Sequence, residues 1–293
     1  SRFRDMKLKN MQDIGGCRAI VTTLKKLDQI VRELKKRPEF KTKEGRIRFK
    51  DYIKNPKEDG YRGYHLIGRF GLKKDEQRSI EIQIRTILQH DWATALEIVD
   101  LFTGQALKSN QGKKEWQIFF KGVSEQFAIM EEIRFFNTLN LNSQKNAYLK
   151  KVFETSNNID SCINTQKYSK LLDVEKKFEA FAQSLKIVDE KFGKDLLDGY
   201  VLIEVDSTLC TVKSRFFSKE NNSEAKDLYI ETEKLVADKS SVVVALVSTT
   251  AIGGIKEAYP NYFADSTDFL KHLMIITTAS VSKNKSFFSN FFK

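Results

Sequence analysis

Alternating and periodic apolar positions divide the first third of the chain into strands and helices. A strand follows a Gly-Gly turn, and the next segment places Leu24, Leu27, Ile30, Val31 and Leu34 on one helical face. Two alternating runs flank a charged turn and predict a β-hairpin. The predicted elements are strand 17–23, helix 24–36, strands 64–70 and 79–86, and helix 87–102. This β-α-β-β-α order predicts a mixed sheet covered by helices. The Lys-, Arg- and Gly-rich stretch 41–63 is expected to be a loop.

The pattern changes after Gly104, where long amphipathic segments precede a second group of strands. The fold class is therefore α/β (α+β), with a mixed sheet and helices, a helical linker and a second small α/β domain. The elements expected here are helices 113–136, 168–192 and 223–236 and strands 199–206, 210–217 and 240–248. The expected divisions are a first domain at 1–112, a helical connection at 113–160, an α/β domain at 161–280 and a mobile tail at 281–293.

Composition excludes several classes of protein. The 293 residues contain no apolar run of about 18 residues, which argues against a membrane span. Three widely spaced cysteines exclude a disulfide scaffold and a Cys-based zinc site, and the total of three histidines argues against a His-rich metal site. We therefore expect a protein of the reducing cytoplasm.

Charge is concentrated in the first domain. Residues 1–112 hold 25 basic and 15 acidic residues, a net charge of +10, whereas residues 113–293 hold 25 and 24, a net charge of +1. A solvated basic surface explains such an excess equally well for an arbitrary protein. A local excess of this size also suggests a site for nucleotide phosphates or nucleic acid.

The strand 81–86 reads Glu-Ile-Gln-Ile-Arg-Thr, so Glu81, Gln83 and Arg85 share one face. Taken alone, this is the pattern of any strand with one solvated face. Asp13 precedes the Gly-Gly turn and by itself reads as a turn former. Together, Asp13 and Glu81 would supply two oxygen ligands for Mg²⁺, which commonly uses one or two carboxylates plus substrate phosphates.

The stretch 48–65 combines cations and aromatic residues with one proline and two glycines. Its cations can surround phosphates, and Tyr61, between Gly60 and Gly63, can act as an aromatic plate for a nucleobase. A charged solvent loop is the usual explanation of such a composition. Three tyrosines and a histidine in the same short stretch weaken that explanation.

These three stretches together resemble the RelA/SpoT synthetase domain, the family that makes the alarmone (p)ppGpp. The resemblance rests on an Asp-turn-Arg strand at 13–18, the loop FKDYIKNPKEDGYRGYH at 49–65 and the strand EIQIRT at 81–86, in that order. It covers roughly residues 1–112. It implies a nucleotidyltransferase-like fold and transfer of the β,γ-diphosphate of ATP to a ribose 3′-hydroxyl.

The resemblance also implies residue roles. Asp13 and Glu81 would be the Mg²⁺-binding, catalytic carboxylates, and Glu81 would take the proton of the acceptor hydroxyl. Tyr61 would stack on the acceptor base, and Gln83 and Arg85 would line the acceptor side. The remaining expected nucleotide contacts are Arg18, Arg48, Lys50, Lys57 and His65.

Two departures from the family pattern leave alternatives open. The chain begins at Ser1, inside the region where members carry ATP-clamping basic residues, so we expect an N-terminally incomplete synthetase domain. Arg62-Gly63 stands where common members have Gln-Ser, which leaves the acceptor open. The interpretations are (p)ppGpp synthesis from ATP and GDP or GTP, pyrophosphorylation of the tRNA 3′-CCA end by a toxin of the same family, and a non-catalytic nucleotide-binding module.

The C-terminal domain carries Tyr259-Pro260-Asn261-Tyr262, which resembles the Tyr-x-x-Tyr feature of fused toxin–antitoxin members. By that resemblance, Tyr259 and Tyr262 are regulatory and restrain the synthetase until a trigger, such as a partner protein, relieves them. Two buried tyrosines beside a proline turn explain the same residues structurally.

Overall fold

The structure of the chain is a computed structural model. The residues that it describes are 15–71, 77–103, 107, 111–179, 199–206, 209, 211–236, 239, 242–248 and 266–281. Asp13, Tyr259 and Tyr262, and with them the expected second carboxylate and regulatory motif, lie outside these residues. So does most of the predicted tail.

Four strands and two helices form the N-terminal part. They are β1 Gly15–Val21, α1 Leu24–Lys36, β2 Arg48–Asp51, β3 Tyr64–Phe70, β4 Arg78–Thr86 and α2 Ile87–Thr103. The strands make one sheet in the order β1-β4-β3-β2. β1 runs parallel to β4, while β4, β3 and β2 pair antiparallel. The predicted mixed sheet and its hairpin are confirmed.

One face of this sheet packs against α1. The helix begins after Thr23, whose hydroxyl caps the backbone N–H of Lys26, and it ends before Pro38. Its apolar stripe buries Leu27 and Val31 against side chains of the sheet: Val21, Tyr64, Leu66 and Ile84. The opposite face of the sheet has no such apolar cluster among the described residues. It holds the polar side chains discussed below.

Further helices and strands follow in the described residues. They are α3 Lys114–Glu132, α4 Leu141–Val152, α5 Ser156–Leu171, β5 Gly199–Asp206, β6 Thr211–Ser218, α6 Asn222–Val236, β7 Val242–Ser248 and α7 Thr267–Thr277. The three strands pair antiparallel in the order β6-β5-β7. α6 covers one face of this sheet through a cluster with Leu202, Phe217 and Ala225 at its centre. The expected second small α/β element is present.

Two predicted elements are wrong. The stretch 41–63 is not all loop, because Arg48–Asp51 pairs with β3 as an edge strand. The helix predicted to begin at 168 instead belongs to α5, which ends at Leu171. Asp173 then adopts a left-handed φ of 49° before helical residues 174–179. A left-handed residue interrupts the helical hydrogen-bond ladder, so the predicted single helix is divided.

Contacts divide the described residues into two compact units. The first contains the residues up to His90 together with Ser124–Asn158, and the second contains Asp91–Val123 and the residues from Ile159 onward. Both α2 and α3 therefore contribute residues to both units. In neither unit does a described helix have the length and apolarity needed to cross a bilayer.

Candidate active site

The strand register collects most of the expected site residues on the polar face of the four-stranded sheet. Arg18 of β1 lies beside Gln83 of β4, Gln83 beside His65 of β3, and His65 beside Lys50 of β2. Because residues paired across strands point to the same side, this row presents polar groups from all four strands. The next row contains Glu81, Ile67 and Arg48.

Five of the expected residues are joined in a closed circuit of hydrogen bonds. The Tyr61 hydroxyl lies 2.6 Å from His65 Nε2, and His65 Nδ1 lies 2.9 Å from Glu81 Oε1. Gln83 Nε2 donates to Glu81 Oε2 at 2.9 Å, and Arg85 Nη2 donates to Gln83 Oε1 at 3.0 Å. Arg85 Nε closes the circuit on the Tyr61 hydroxyl at 3.2 Å. We call this set, Tyr61, His65, Glu81, Gln83 and Arg85, the polar ring.

Protonation states follow from burial and from these partners. Burial, supported by the charges of Arg85 and Lys57, holds the pKa of His65 below its ordinary value against the opposing effect of Glu81. Burial pushes the pKa of Glu81 upward, but the hydrogen bond from Gln83 and the contacts with His65 together hold it below its ordinary value. Burial raises the pKa of the Tyr61 phenol. At neutral pH, therefore, His65 is neutral, Glu81 is ionised and Tyr61 keeps its proton.

This combination fixes the hydrogen-bond directions in the polar ring. A neutral imidazole donates from one nitrogen and accepts at the other. The ionised Glu81 only accepts, so His65 donates from Nδ1 to Glu81 and accepts the Tyr61 hydroxyl proton at Nε2. The Tyr61 oxygen in turn accepts from Arg85. The polar ring closes without an additional ion, and among its own side-chain atoms Arg85 Nη1 is buried without a hydrogen-bond partner.

Cations also lie over the Tyr61 ring. Lys57 Nζ is 4.9 Å from the ring centroid and Arg85 Cζ is 5.0 Å from it. Tyr52 meets the ring edge-on at 5.6 Å between centroids. A nucleobase that stacks on Tyr61 must therefore contact one of these cations or displace it. Cations beside a stacking surface suit a nucleotide, whose base can stack while its phosphates meet positive charge.

Glycines make room for this arrangement. Gly60 has a φ of 93°, in the left-handed region that favours glycine. At Gly63 a Cβ would lie 3.1 Å from the Tyr61 hydroxyl oxygen and 3.4 Å from Arg85 Cγ. The backbone at Gly63 therefore lies too close to the polar ring for a side chain to fit unless Tyr61 or Arg85 shifts.

Arg48 lies apart from the polar ring. It lines a cavity of about 1090 Å³ together with Lys41, Lys43 and Arg69, and it shares a row of the sheet with Ile67 and Glu81. The structure thus has two cationic regions, the polar ring and this cavity, and the row of Glu81, Ile67 and Arg48 contributes residues to both.

Of the two carboxylates expected to bind a metal ion, Asp13 and Glu81, the structure describes Glu81. Each of its oxygens accepts one hydrogen bond and its side chain is 19% exposed, which leaves lone pairs for a cation. Among the described residues there is no cluster of three or more His, Cys, Asp and Glu side chains that could form a protein-only site. One carboxylate with substrate phosphates fits Mg²⁺ and does not fit a structural zinc ion.

Sequence reasoning missed the support beneath the Tyr61 loop. Arg62 Nη1 forms a buried ion pair at 2.5 Å with Glu131 Oε2 of α3. Thr86 and Gln89 also donate to the Glu131 carboxylate. The Thr86-x-x-Gln89 spacing is a capping-box signal that the sequence does contain. Nothing in the sequence near Glu131 distinguishes it from any other helical glutamate.

The comparisons with known proteins agree with the motifs. Residues 2–98 match the model described as a region found in RelA / SpoT proteins. GTP pyrophosphokinase YwaC of Bacillus subtilis (strain 168) is 34% identical over 94 residues, which cover 31% of this chain and 42% of that protein. GTP pyrophosphokinase YjbM of the same strain is 38% identical over 92 residues, with 30% and 41% covered. The chain thus spans about two-fifths of the length of these curated relatives.

Solved structures include similar chains. One is the small alarmone synthetase 1 of Bacillus subtilis bound to its product pppGpp, at 26% identity and a TM-score of 0.36, covering 43% of this chain and 62% of that chain. Another is a GTP pyrophosphokinase family protein of Streptococcus pneumoniae, at 23% identity and a TM-score of 0.35, covering 48% and 65%.

Proposed function

Starting from a RelA/SpoT-type synthetase region over residues 2–98, we propose that the chain is an ATP-dependent pyrophosphokinase. It transfers the β,γ-diphosphate of ATP to the ribose 3′-hydroxyl of GDP or GTP. The observation that carries this proposal is the polar ring: a carboxylate, an aromatic plate and a buried guanidinium held together on a cationic sheet face. The curated relatives are named GTP pyrophosphokinases.

In this proposal Glu81 accepts the proton of the attacking 3′-hydroxyl. The carboxylate is ionised because its pKa is held below the ordinary value, so it is ready to accept a proton at neutral pH. Neutral His65 orients it through the Nδ1–H donor, much as a third group orients a base in other nucleophile–base pairs. As the 3′-oxygen bonds to the β-phosphorus of ATP, the bond from that phosphorus to the oxygen bridging the α-phosphorus breaks. AMP leaves with that oxygen, and the 3′-hydroxyl proton passes to Glu81.

The cations supply the electrostatic part of the reaction. Lys57 and Arg85 lie within about 5 Å of the Tyr61 ring, and Lys50 shares a row with His65. Charge on the transferring phosphoryl oxygens is stabilised by such fixed cations, since little covalent chemistry is required of the protein. Glu81, with Asp13, would hold Mg²⁺, and the ion when bound neutralises phosphate charge.

The test uses the full chain with γ-labelled ATP, MgCl₂ and one of three acceptors: GDP, GTP or tRNA. We expect label in the guanosine nucleotide and release of AMP. Label in tRNA instead would support the alternative function, a tRNA-modifying toxin restrained by its C-terminal domain through Tyr259 and Tyr262. ATP and acceptor binding without any transfer would support the non-catalytic module.

The cellular location of the enzyme is inferred from its proposed substrates. ATP and guanosine nucleotides are abundant in the cytoplasm, so we infer a cytoplasmic enzyme there. A trigger protein at the C-terminal domain belongs to the same proposal: if one exists, its addition should raise label transfer by the full chain.

A further inference from the structure

The residues on both sides of Tyr61 are bonded to the same helix. Arg62 forms the ion pair with Glu131 of α3, and the Gly60 carbonyl accepts a hydrogen bond from Ser124 Oγ at 2.5 Å. Ser124 and Glu131 are seven residues apart, so they occupy one face of α3. The loop segment that presents Tyr61 is therefore fixed at two points, two helical turns apart.

The Arg62–Glu131 pair is buried. The two side chains are 10% and 4% exposed. A buried ion pair of this kind is worth keeping only when its remaining hydrogen-bonding groups are also satisfied, and removing one partner leaves an uncompensated charge. Glu131 is therefore a position where a small chemical change has a large local consequence.

Residues at the start of α2 satisfy the remaining hydrogen-bonding capacity of the Glu131 carboxylate. Gln89 Nε2 donates to Glu131 Oε1 at 3.0 Å, and the Thr86 hydroxyl donates to the same oxygen. Thr86 and Gln89 also cap each other: Thr86 N–H donates to Gln89 Oε1 at 3.1 Å and Gln89 N–H donates to Thr86 Oγ1 at 3.2 Å. This is a capping box at the end of β4, one residue after Arg85 of the polar ring.

We propose that Glu131 is a positioning residue for acceptor recognition. It acts through Arg62 on the Tyr61 loop and through Thr86 on the end of β4, so it sets the spacing between Tyr61 and Arg85 across which the polar ring closes. The proposal rests on the proposed function for its substrate. It also extends the synthetase machinery beyond residues 2–98, to which the family match is confined.

A positioning role differs from a purely structural one in what it changes. If Glu131 merely stabilised the fold, its loss would lower the amount of active protein and leave the KM values of the remainder unaltered. If it positions Tyr61, its loss misplaces the acceptor base while the donor site is kept. The KM for the acceptor then rises, and kcat and the KM for ATP change much less.

The experiment compares Glu131→Gln with Glu132→Gln in the full chain. Glu132 is the adjacent glutamate on α3, is 62% exposed and lies 3.6 Å from Lys151, so it is a matched control for charge and helix position. We expect the acceptor KM of Glu131→Gln to rise about tenfold, the order of one lost charged hydrogen bond. Glu132→Gln should match the wild type. An equal acceptor KM in the two variants overturns the proposal.

Amide hydrogen exchange of residues 57–63 gives a readout that does not need turnover. Lys57 N–H bonds to the Tyr61 carbonyl at 3.1 Å and Gly60 N–H to the Lys57 carbonyl at 2.9 Å, so loosening of the loop exposes measurable amides. We expect faster exchange in Glu131→Gln than in Glu132→Gln. Identical exchange contradicts the positioning role, even if the wild type transfers nothing and the proposed function itself fails.

Two further variants keep the test valid if Glu131→Gln does not fold. Ser124→Ala removes only the hydrogen bond to the Gly60 carbonyl, and we expect the same rise in acceptor KM and in loop exchange, on a smaller scale. Arg62→Lys keeps a cation opposite Glu131 and should retain more acceptor affinity than Arg62→Gln. Equal behaviour of the two Arg62 variants, with Ser124→Ala unchanged, overturns the proposal.

Discussion

The two sheets of this protein share one construction and differ in their second face. In each, a helix packs on one side: α1 on the four-stranded sheet and α6 on the three-stranded sheet. On the other side, the four-stranded sheet presents Glu81, Gln83 and Arg85 in alternation. The three-stranded sheet presents Val201 and Ile203 in the equivalent alternation, and both are buried.

The difference between the two sheets shows which kind of sheet face can hold a functional site in a layered fold. A sheet with two apolar faces needs a cover on each, and its strands read as near-continuous apolar runs, as in β5 and β7. A sheet that keeps one face polar gives up that burial. On the four-stranded sheet the polar groups are not simply solvated, because they are joined in the polar ring and partly buried. The ring, and not the polarity alone, distinguishes a site from a wet surface.

The largest effect is expected for Glu81→Gln. The amide keeps the size of the carboxylate but cannot take the proton of the acceptor hydroxyl. We expect label transfer from ATP to fall by about 10²–10⁴-fold, the usual contribution of a general base. Circular dichroism and thermal unfolding should stay close to the wild type, since a glutamine can still accept from His65 and loses only the hydrogen bond from Gln83.

The matched control is Glu204→Gln on the three-stranded sheet. Glu204 has the same central-strand setting and pairs with Lys213 at 2.9 Å on an exposed part of the sheet. Exposed pairs of this kind contribute little to stability. Transfer should be unchanged in this variant. A Glu81→Gln protein that transfers label like Glu204→Gln would remove the functional distinction between the two sheets.

Tyr61 tests the polar ring at its aromatic member. Tyr61→Ala should weaken acceptor binding by about 1–3 kcal/mol because a stacking surface is lost. Tyr61→Phe keeps that surface but leaves His65 Nε2 and Arg85 Nε without the hydroxyl. For this loss we expect acceptor binding to weaken by about 1 kcal/mol. Acceptor titrations of both variants measure this difference. Equal losses would assign the whole effect to the hydroxyl, and no loss in either would exclude Tyr61 from the acceptor site.

Glycines in the two sheets should respond differently to alanine. At Gly199 a Cβ would collide with the backbone carbonyl oxygen of Phe217, which has little freedom to move. At Gly68 it would lie 2.6 Å from the Phe70 ring and 2.9 Å from the Phe40 ring, which can rotate aside. We expect Gly199→Ala to destabilise its sheet by about 1–3 kcal/mol, and by more than Gly68→Ala. Hydrogen exchange of β5 and β3 measures the two effects separately.

Sequence reasoning found the members of the polar ring because each carries a local signal. Alternation along β4 put Glu81, Gln83 and Arg85 on one face, and the Gly-Tyr-x-x-x-His spacing identified Tyr61 and His65. Their joining into one circuit was not predictable, since it depends on the pairing of His65 with Gln83 across β3 and β4. Register of this kind is a property of the folded sheet.

The misses have equally physical causes. The sequence of β2, Arg48-Phe49-Lys50-Asp51, resembles a charged loop because one apolar residue among three charged ones gives no clear alternation. Its strand conformation comes from pairing with β3. α5 was missed because its buried positions are small: Cys162, Thr165 and Ser169 replace a stripe of large apolar side chains. At Thr165 close approach explains the small size, since a Cβ at Gly122 of α3 would collide with the Thr165 hydroxyl. Glu131 was missed because Arg62 lies 69 residues away.

The smallest predicted effect is the dependence of stability on pH that His65 contributes. His65 is a member of the polar ring without a counterpart on the three-stranded sheet. Burial lowers its pKa from the ordinary value of 6.5, against the opposing effect of Glu81. Because the unfolded chain then binds this proton more readily than the folded one, stability falls as pH drops below 6.5 toward the folded-state pKa. For one proton the slope is at most about 1.4 kcal/mol per pH unit.

Nitrogen NMR of ¹⁵N-histidine-labelled protein measures this directly, since the chain has three histidines and His65→Gln assigns the signal. At pH 7 we expect a neutral His65 ring with its proton on Nδ1, and a midpoint below 6.5. Protonation at Nε2 replaces the acceptor of the Tyr61 hydroxyl with a donor, so acceptor affinity should fall through the same midpoint. In Glu81→Gln the midpoint should move lower still, because the carboxylate that favours the charged ring is gone. A midpoint above 6.5, or a proton on Nε2 at pH 7, would mean that the polar ring is not closed in the direction described.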